Sequence, residues 1–459
     1  MYSVAMKMPR ILLLNPPIHD FAAYDFWLKP YGLLSVGGRL RGRAELRLFD
    51  YLDRLHPAAQ GAKLRKDIWG RGEFRNEPLD KPALFNNIPR RYHRFGLPRS
   101  EFHAFLEREG PFDFALIQTV MTYWYPGVQE TIEDLRSFSP QTKIVLGGVY
   151  ATICNAHAKT IGADFVLDGL NLDPLWSFLN IEPNPSGLPC WDLYDKLDTG
   201  VLKLADGCPF KCTYCSVPQV YPTFHSRPME RSLAELDFLI ERGAKNAVFY
   251  DDALLYQPDK ILVPFLKEAI KRGSRLNFHT PNALNARFIS KELAELMVQA
   301  GFKVIYLGFE SSAYEWQKKT GGKVYSHELK DAIENLVAAG AKIENIAAYL
   351  IMSHPNADQQ NVEESMRFAN GLGIRVMLSE FSPIPGTPDG EMCRKWINLD
   401  EPLTHSKTAF PIVFMGEARV NQIKNLSREL NAQLRPQTVV APAGNSRAQL
   451  AVANPLLSV

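Results

Sequence analysis

From residue 199 to residue 383 short apolar runs alternate with amphipathic stretches, and this rhythm narrows the possible folds more than any other feature. The apolar runs are VLKLADG (201–207), NAVFYDDAL (246–254), RLNFHTPN (275–282), KVIYLGFE (303–310), NIAAYLIM (345–352) and RVMLSEFSP (375–383). Between them lie SLAELDFLIERGA (232–244), DKILVPFLKEAIKRG (259–273), SKELAELMVQAG (290–301), SHELKDAIENLVAAG (326–340) and NVEESMRFANGLG (361–373). These carry apolar residues at helical spacing, and several close on glycine. Strands joined one by one through helices pair in parallel. Six are too few for a closed eightfold barrel. The expectation is an α/β, partial (β/α)6 barrel over 199–390, open on one side, with its active site at the C-terminal ends of the strands.

The front half alternates too. RILLLNPP (10–17), LRLFDY (46–51), FDFALIQTV (112–120), KIVLGGVYA (143–151) and DFVLDG (164–169) read as strands, with helices at YGLLSVGGRLRG (31–42) and GVQETIEDLRSF (127–138). This predicts a doubly wound, flavodoxin-like (Rossmann-like) domain over 1–171. Such sheets bind ligands outside the carboxyl ends of their strands. Residues 172–198 are rich in proline, lack periodicity and read as a linker. Residues 391–459 form a C-terminal extension, and its tail after Gln437 is rich in Ala and Pro.

Composition serves mainly to exclude. The chain has 459 residues, 46% hydrophobic and 22% charged, with a net charge of +2. That is ordinary globular usage. No apolar run is long enough to span a bilayer, and MYSVAMKMPR has no apolar leader core. A cytoplasmic location is expected, where thiols stay reduced. Charge is uneven: residues 51–100 hold eleven Lys or Arg against five Asp or Glu. This basic insertion (52–100) reads either as a solvated excursion or as a surface for phosphate, carboxylate or nucleic acid.

Three of the six cysteines fall within GCPFKCTYCS, as Cys208-x3-Cys212-x2-Cys215. Thiolates suit zinc or iron–sulfur clusters. A structural zinc site takes four closed ligands, and [4Fe-4S] clusters ordinarily take four cysteines. Three in one loop leave a coordination position open. Cys190 is a conceivable fourth ligand, whereas Cys154 and Cys393 read as buried small residues. The loop follows the first barrel strand, where catalysis is expected, so an open cluster is the preferred reading over zinc or a structural role.

With Tyr214 before its last cysteine, the motif resembles the signature of the radical S-adenosylmethionine (radical SAM) superfamily. The resemblance implies that Cys208, Cys212 and Cys215 hold a [4Fe-4S] cluster whose free iron binds S-adenosylmethionine. One electron then cleaves the sulfonium to a 5′-deoxyadenosyl radical. Within FYDDA (249–253), Asp251 or Asp252 would bind the methionine amino group. Glu310 of GFES would approach the ribose or methionine, and Asn282 and Asn285 are polar candidates for ribose or substrate. PIPGTP (383–388) resembles the turn after the sixth strand. Ser353-His354-Pro355 departs from the Gly-x-Pro frequent in relatives. His354 reads as a substrate-facing acid or base, or as a loop histidine without a role.

The front half resembles the cobalamin-binding domain that precedes the barrel in one radical SAM class. The matching pieces are LLLNPP, YGLLSVGGRLRG, LGGVYAT and FVLDG, which make Asn15, Gly147, Gly148, Thr152 and Gly169 cofactor-binding candidates. No Asp-x-His-x-x-Gly is present, and His56 near Asp53 has the wrong spacing, so no histidine is expected below cobalt. MTYWYPG (121–127) reads as a floor beneath a corrin or as ordinary packing. The resemblance implies a cobalamin-dependent C-methyltransferase or related radical enzyme. It would act on a small-molecule or cofactor-like substrate and be reduced by a flavodoxin or ferredoxin. The alternatives are a cobalamin-independent enzyme acting on a phosphorylated or tRNA substrate, and a non-catalytic iron or redox sensor.

Overall fold

The computed structural model describes residues 8–60 and 64–434, so the tail after Gln437 lies outside the described residues. Two parallel sheets organise the chain. The front sheet contains β1 (Arg10–Asn15), β2 (Glu45–Asp50), β3 (Phe114–Thr119), β4 (Lys143–Gly148) and β5 (Phe165–Val166), in spatial order β5-β4-β3-β1-β2. This is the flavodoxin-like order, with its topological switch between β1 and β3. Ile11, Leu12, Leu13 and Leu14 are all fully buried because helices cover both faces of β1.

The second sheet runs β6 (Thr199–Leu202), β7 (Asn246–Phe249), β8 (Asn277–Asn285), β9 (Phe302–Glu310), β10 (Ile346–Met352) and β11 (Arg375–Glu380), each paired in parallel with the next. Strand order equals chain order, and β6 and β11 are the sheet's edges among the described residues. This is the expected open six-stranded barrel. Its core combines Leu236, Phe249, Phe265, Phe278 and Phe309 with the apolar faces of the connecting helices.

Several boundaries differ from the sequence reading. β4 stops at Gly148, which takes φ +108°, and 149–153 turns helical. β5 has two residues, and β7 ends at Phe249, before Tyr250-Asp251-Asp252. VLKLADG is divided. Thr199–Leu202 joins the barrel, while Ala205–Asp206 pairs antiparallel with His225–Ser226. The stretch 172–198 is not a bare linker: it contains the helix Asp173–Leu179 and fully buries Cys190 and Trp191.

The basic insertion is not a solvated arm. Tyr92–Phe95 pairs with Ile18–Asp20 on one side and Asn76–Leu79 on the other in a three-stranded antiparallel sheet. Its cations have internal partners. Arg54 meets Asp25 at 3.0 Å, Arg94 meets Glu130 at 2.8 Å, and Arg99 meets Asp134 at 2.8 Å. Trp69 and Arg71 reach the barrel. Arg71 lies 5.2 Å from the Trp27 ring, pairs with Asp67 at 2.6 Å and bonds to the Tyr306 hydroxyl. Trp27 is buried against Val248, Val304, Tyr306 and Ala347 and stacks on His279 at 4.4 Å. Burial lowers His279 to about 3, so the stacked ring is neutral. The front half thus plugs the barrel interior.

Candidate active site

All six barrel strands point the same way, so the loops after them gather at one end. The cysteine loop enters through Gly207, where a φ of +80° and the Thr223 carbonyl oxygen, 2.6 Å from where a Cβ would stand, exclude a side chain. The turn 320–323 closes over the loop. Thr213 N–H donates to the Thr320 carbonyl at 3.3 Å. A Cβ on Gly321 (φ +123°) would stand 3.1 Å from the Cys212 Cα.

A second clamp comes from the PIPGTP turn. Thr387 caps the short helix Pro388–Glu391 and places Asp389. Asp389 Oδ2 accepts from the Thr213 hydroxyl at 2.5 Å and bonds His354 Nε2 at 2.9 Å, while its N–H donates to the Thr213 carbonyl at 3.2 Å. Burial opposes ionisation of Asp389, but the bonds from His354 and Thr213 hold its carboxyl below the usual range. His354 is fully buried, edge-on to Trp316 at 5.1 Å and to Phe381 at 4.9 Å. It therefore braces the loop rather than facing a substrate. Ser353 takes φ +60°, the left-handed backbone that glycine would supply in Gly-x-Pro.

All three cysteines are free and half-buried. Burial raises each thiol, Cys215 to about 11, and Cys212 raises Cys208 and Cys215 further. Lys323 acts the other way on all three. This half-buried lysine pairs with Glu310 at 3.2 Å. Burial would lower its pKa, but Glu310 and Cys212 outweigh burial and raise it. Among the described residues no three Cys, His, Asp or Glu side chains converge on one point. A multi-iron cluster sets its ligands further apart than a single ion does. Three thiols with a fixed cation beside them are a donor set that fits such a cluster. Tyr214 lies flat against Trp316, ring centres 6.2 Å apart, and covers one side of the loop. Cys190 is not with them: it packs against Gly37 of the front helix Tyr31–Leu40. Cys393 donates to the Asp389 carbonyl at 3.4 Å, beneath the second clamp.

Asp251 is 3% exposed, and its Oδ1 accepts from Leu204 N–H at 2.9 Å and Ala205 N–H at 2.6 Å. Burial pushes it up to about 7 despite Lys203 and those two bonds. Oδ2 of Asp251 and Oδ2 of Asp252 are buried without a hydrogen-bond partner, as is Nδ2 of Asn285. Such atoms are costly unless a ligand meets them. Asn282 is tied to the Asp251 carbonyl at 3.1 Å. Glu310 ends β9 at φ +65°, beside a register shift against β10. Strained backbone of this kind is concentrated at ligand sites. Sequence reasoning missed Lys323, Lys203 and Asp389. Gly321-Gly322-Lys323 was the available signal for the first.

In the front sheet Asn15 donates to Asp50 at 2.6 Å, so its amide nitrogen is engaged. Thr152 accepts from Gly169 N–H at 3.2 Å and donates to the Gly148 carbonyl at 3.0 Å. Gly169 leaves its strand end uncovered, with nothing within 4 Å of a Cβ built there, whereas a Cβ on Gly147 would touch Leu167 at 3.8 Å. A small cleft opens at the switch point between Asn15-Pro16-Pro17 and Gln118, Val120 and Met121. His56 caps the turn at 57–59 through Ala58 N–H, so it is engaged locally. In MTYWYPG, Thr122 and Tyr123 are buried while Met121 is 43% exposed. Thr122 bonds His405, and Trp124 donates to Asp20 at 2.9 Å, so most of the stretch is packing. Helix Val149–Ile153, after β4, packs on helix Val217–Val220, directly after Cys215. The C-terminal ends of the two sheets are therefore neighbours at this contact.

Residues 202–369 match the Radical SAM superfamily. The chain is 25% identical to an uncharacterized methyltransferase, PH0819, of Pyrococcus horikoshii over 57% of this chain and 58% of that protein. It is 28% identical to the hopanoid C-2 methylase of Rhodopseudomonas palustris over 27% of this chain and 25% of that one. It thus spans about half the length of the first curated relative, or less of others. Among solved structures, the radical SAM methyltransferase TsrM of Kitasatospora setae, with cobalamin and a [4Fe-4S] cluster bound, superposes with a TM-score of 0.61 at 14% identity. That match covers 85% of this chain and 75% of TsrM. The cobalamin-dependent radical enzyme OxsB, with aqua-cobalamin and S-adenosylmethionine bound, gives 0.56 at 14% identity, covering 92% of this chain and 61% of OxsB. The front sheet and the barrel together have the fold of TsrM and OxsB, and residues 202–369 form a radical SAM domain.

Proposed function

We propose that the chain is a cobalamin-dependent radical SAM enzyme that transfers a methyl group to carbon. The division is 1–171 for cobalamin, 172–198 as connector, 199–390 for the radical chemistry and 391–459 as extension. The observation that carries this reading is the three-thiol loop at the end of β6, opposite the strand ends of a flavodoxin-like sheet. Bound there, a [4Fe-4S] cluster supplies the electron that cleaves S-adenosylmethionine, and cobalamin supplies the methyl group.

The chain's own residues position and shield. Cys208, Cys212 and Cys215 are the cluster ligands, and the Lys323 ammonium offsets the negative charge gathered beside them. The unpartnered carboxylate oxygens of Asp251 and Asp252 suit the ammonium of the methionine moiety. Asn282, Asn285 and Glu310 flank the ribose side. Tyr214 and Trp316 keep water from one side of the loop. Asn15, Gly147, Gly148, Thr152 and Gly169 form the edge against which a flat macrocycle would rest. A cytoplasmic flavodoxin or ferredoxin is the electron donor, and the substrate is a small or cofactor-like molecule.

The test is an anaerobic absorbance spectrum after incubation with hydroxocobalamin and desalting. Corrin bands retained at about one per chain are expected. An intact iron–sulfur spectrum without corrin would remove cobalamin from the reading and leave the radical chemistry standing.

A further inference from the structure

Among the described residues the barrel ends at β11, whose outer edge has no further strand. The front segment covers that side without filling it. Between β11, the helix Glu417–Gln433 and residues 21–26 and 73–95 remains a cavity of about 250 Å³. None of its lining residues belongs to the cysteine loop. We propose that this cavity binds a small, neutral aromatic molecule bearing one hydrogen-bonding group.

The walls carry the argument. Phe21, Phe26, Phe74 and Phe95 supply aromatic surface, and Phe26 and Met377 are shared with the plug inside the barrel. The charged lining residues are matched to one another. Glu380 pairs with Lys424 at 2.6 Å, and Arg65 bonds Glu73 through Nε at 2.7 Å. A charged ligand would have to break one of these pairs or sit unpaired against aromatic walls, and both are unfavourable. Two polar atoms are left over. The Tyr24 hydroxyl and His93 Nδ1 are buried with no hydrogen-bond partner. Burial raises Tyr24 to about 12 and lowers His93, which disfavours the charged form of each. The volume lies below the usual range for drug-sized ligands, roughly 300–1,000 Å³, and suits one ring or two fused rings. The site needs neither cluster nor cobalamin, so it stands apart from the proposed reaction.

The probe is 4-fluorophenol, titrated into the full chain and followed by fluorine NMR, with 4-fluorobenzoate as the charged comparison. Saturable binding of the phenol is expected, with the benzoate at least about tenfold weaker. Tyr24→Phe, which removes only the hydroxyl, should weaken the phenol about three- to tenfold. Ser427→Leu, which fills the cavity from the helix, should abolish saturation. Circular dichroism confirms that each variant is folded. The proposal is overturned by an absence of saturable binding to the parent chain, by equal affinity for phenol and benzoate, or by unchanged binding in two folded variants.

Discussion

Asp20 shows how a single buried carboxyl leaves a signature on the whole chain. It is 1% exposed, accepts from Phe21 N–H at 2.7 Å and from Trp124 at 2.9 Å, yet burial outweighs those bonds and raises it to about 6. A carboxyl whose folded pKa exceeds its unfolded value binds more protons when folded, so its contribution to stability falls as pH rises between the two values. The parent should lose about 1 kcal/mol through this group from pH 5 to pH 7. Urea unfolding of Asp20→Asn should show a flatter pH dependence over that window; an unchanged slope would contradict the assignment. The residues around the cysteines follow related physics with a different outcome. Glu310, Asp389 and His354 are buried and partnered, Glu310 by the half-buried Lys323, and truncating one partner leaves the other stranded.

At the scale of elements, the turns matter most. Gly148 ends β4 in a conformation closed to other residues, and a Cβ there would stand 2.2 Å from the Thr119 carbonyl oxygen. Gly148→Ala should therefore cost about 2 kcal/mol or more. It should also weaken corrin retention, because β3 must move; thermal unfolding and the desalting assay check the two effects separately. The barrel strands and helices were legible because their periodicities are long and clean. Boundaries were less so. KIVLGGVYA reads as one apolar run, and only the backbone angle at Gly148 divides it. NAVFYDDAL likewise hides the point where β7 ends and Asp251 turns back to cap Leu204 and Ala205.

At the scale of the molecule, the halves are joined through the barrel interior. Trp27 from the front half stacks on His279, Tyr31 donates to Glu235 at 2.8 Å, and Tyr194 donates to Asp50 at 2.6 Å. None of this was legible. A run such as DFWLKPYG carries no periodicity, and a local charge excess cannot reveal that its arginines face inward to carboxylates far along the chain. The cysteine motif was legible because its chemistry is local, whereas its bracing by Thr320, Gly321 and Asp389 depends on long-range packing. Trp27→Ala should cost about 3–5 kcal/mol. If the halves unfold as one unit, the loss should appear in both together. Loss confined to the front half, followed by hydrogen exchange, would show that the plug does not couple them.

The central claim is that Cys208, Cys212 and Cys215 hold a cluster that opens S-adenosylmethionine. The most direct test compares the anaerobically reconstituted parent with Cys212→Ala, recording iron–sulfur absorbance and dithionite-driven cleavage of S-adenosylmethionine. The account predicts that the variant keeps its far-ultraviolet circular dichroism and loses both the absorbance and the cleavage. A folded Cys212→Ala protein that still cleaves S-adenosylmethionine would contradict it.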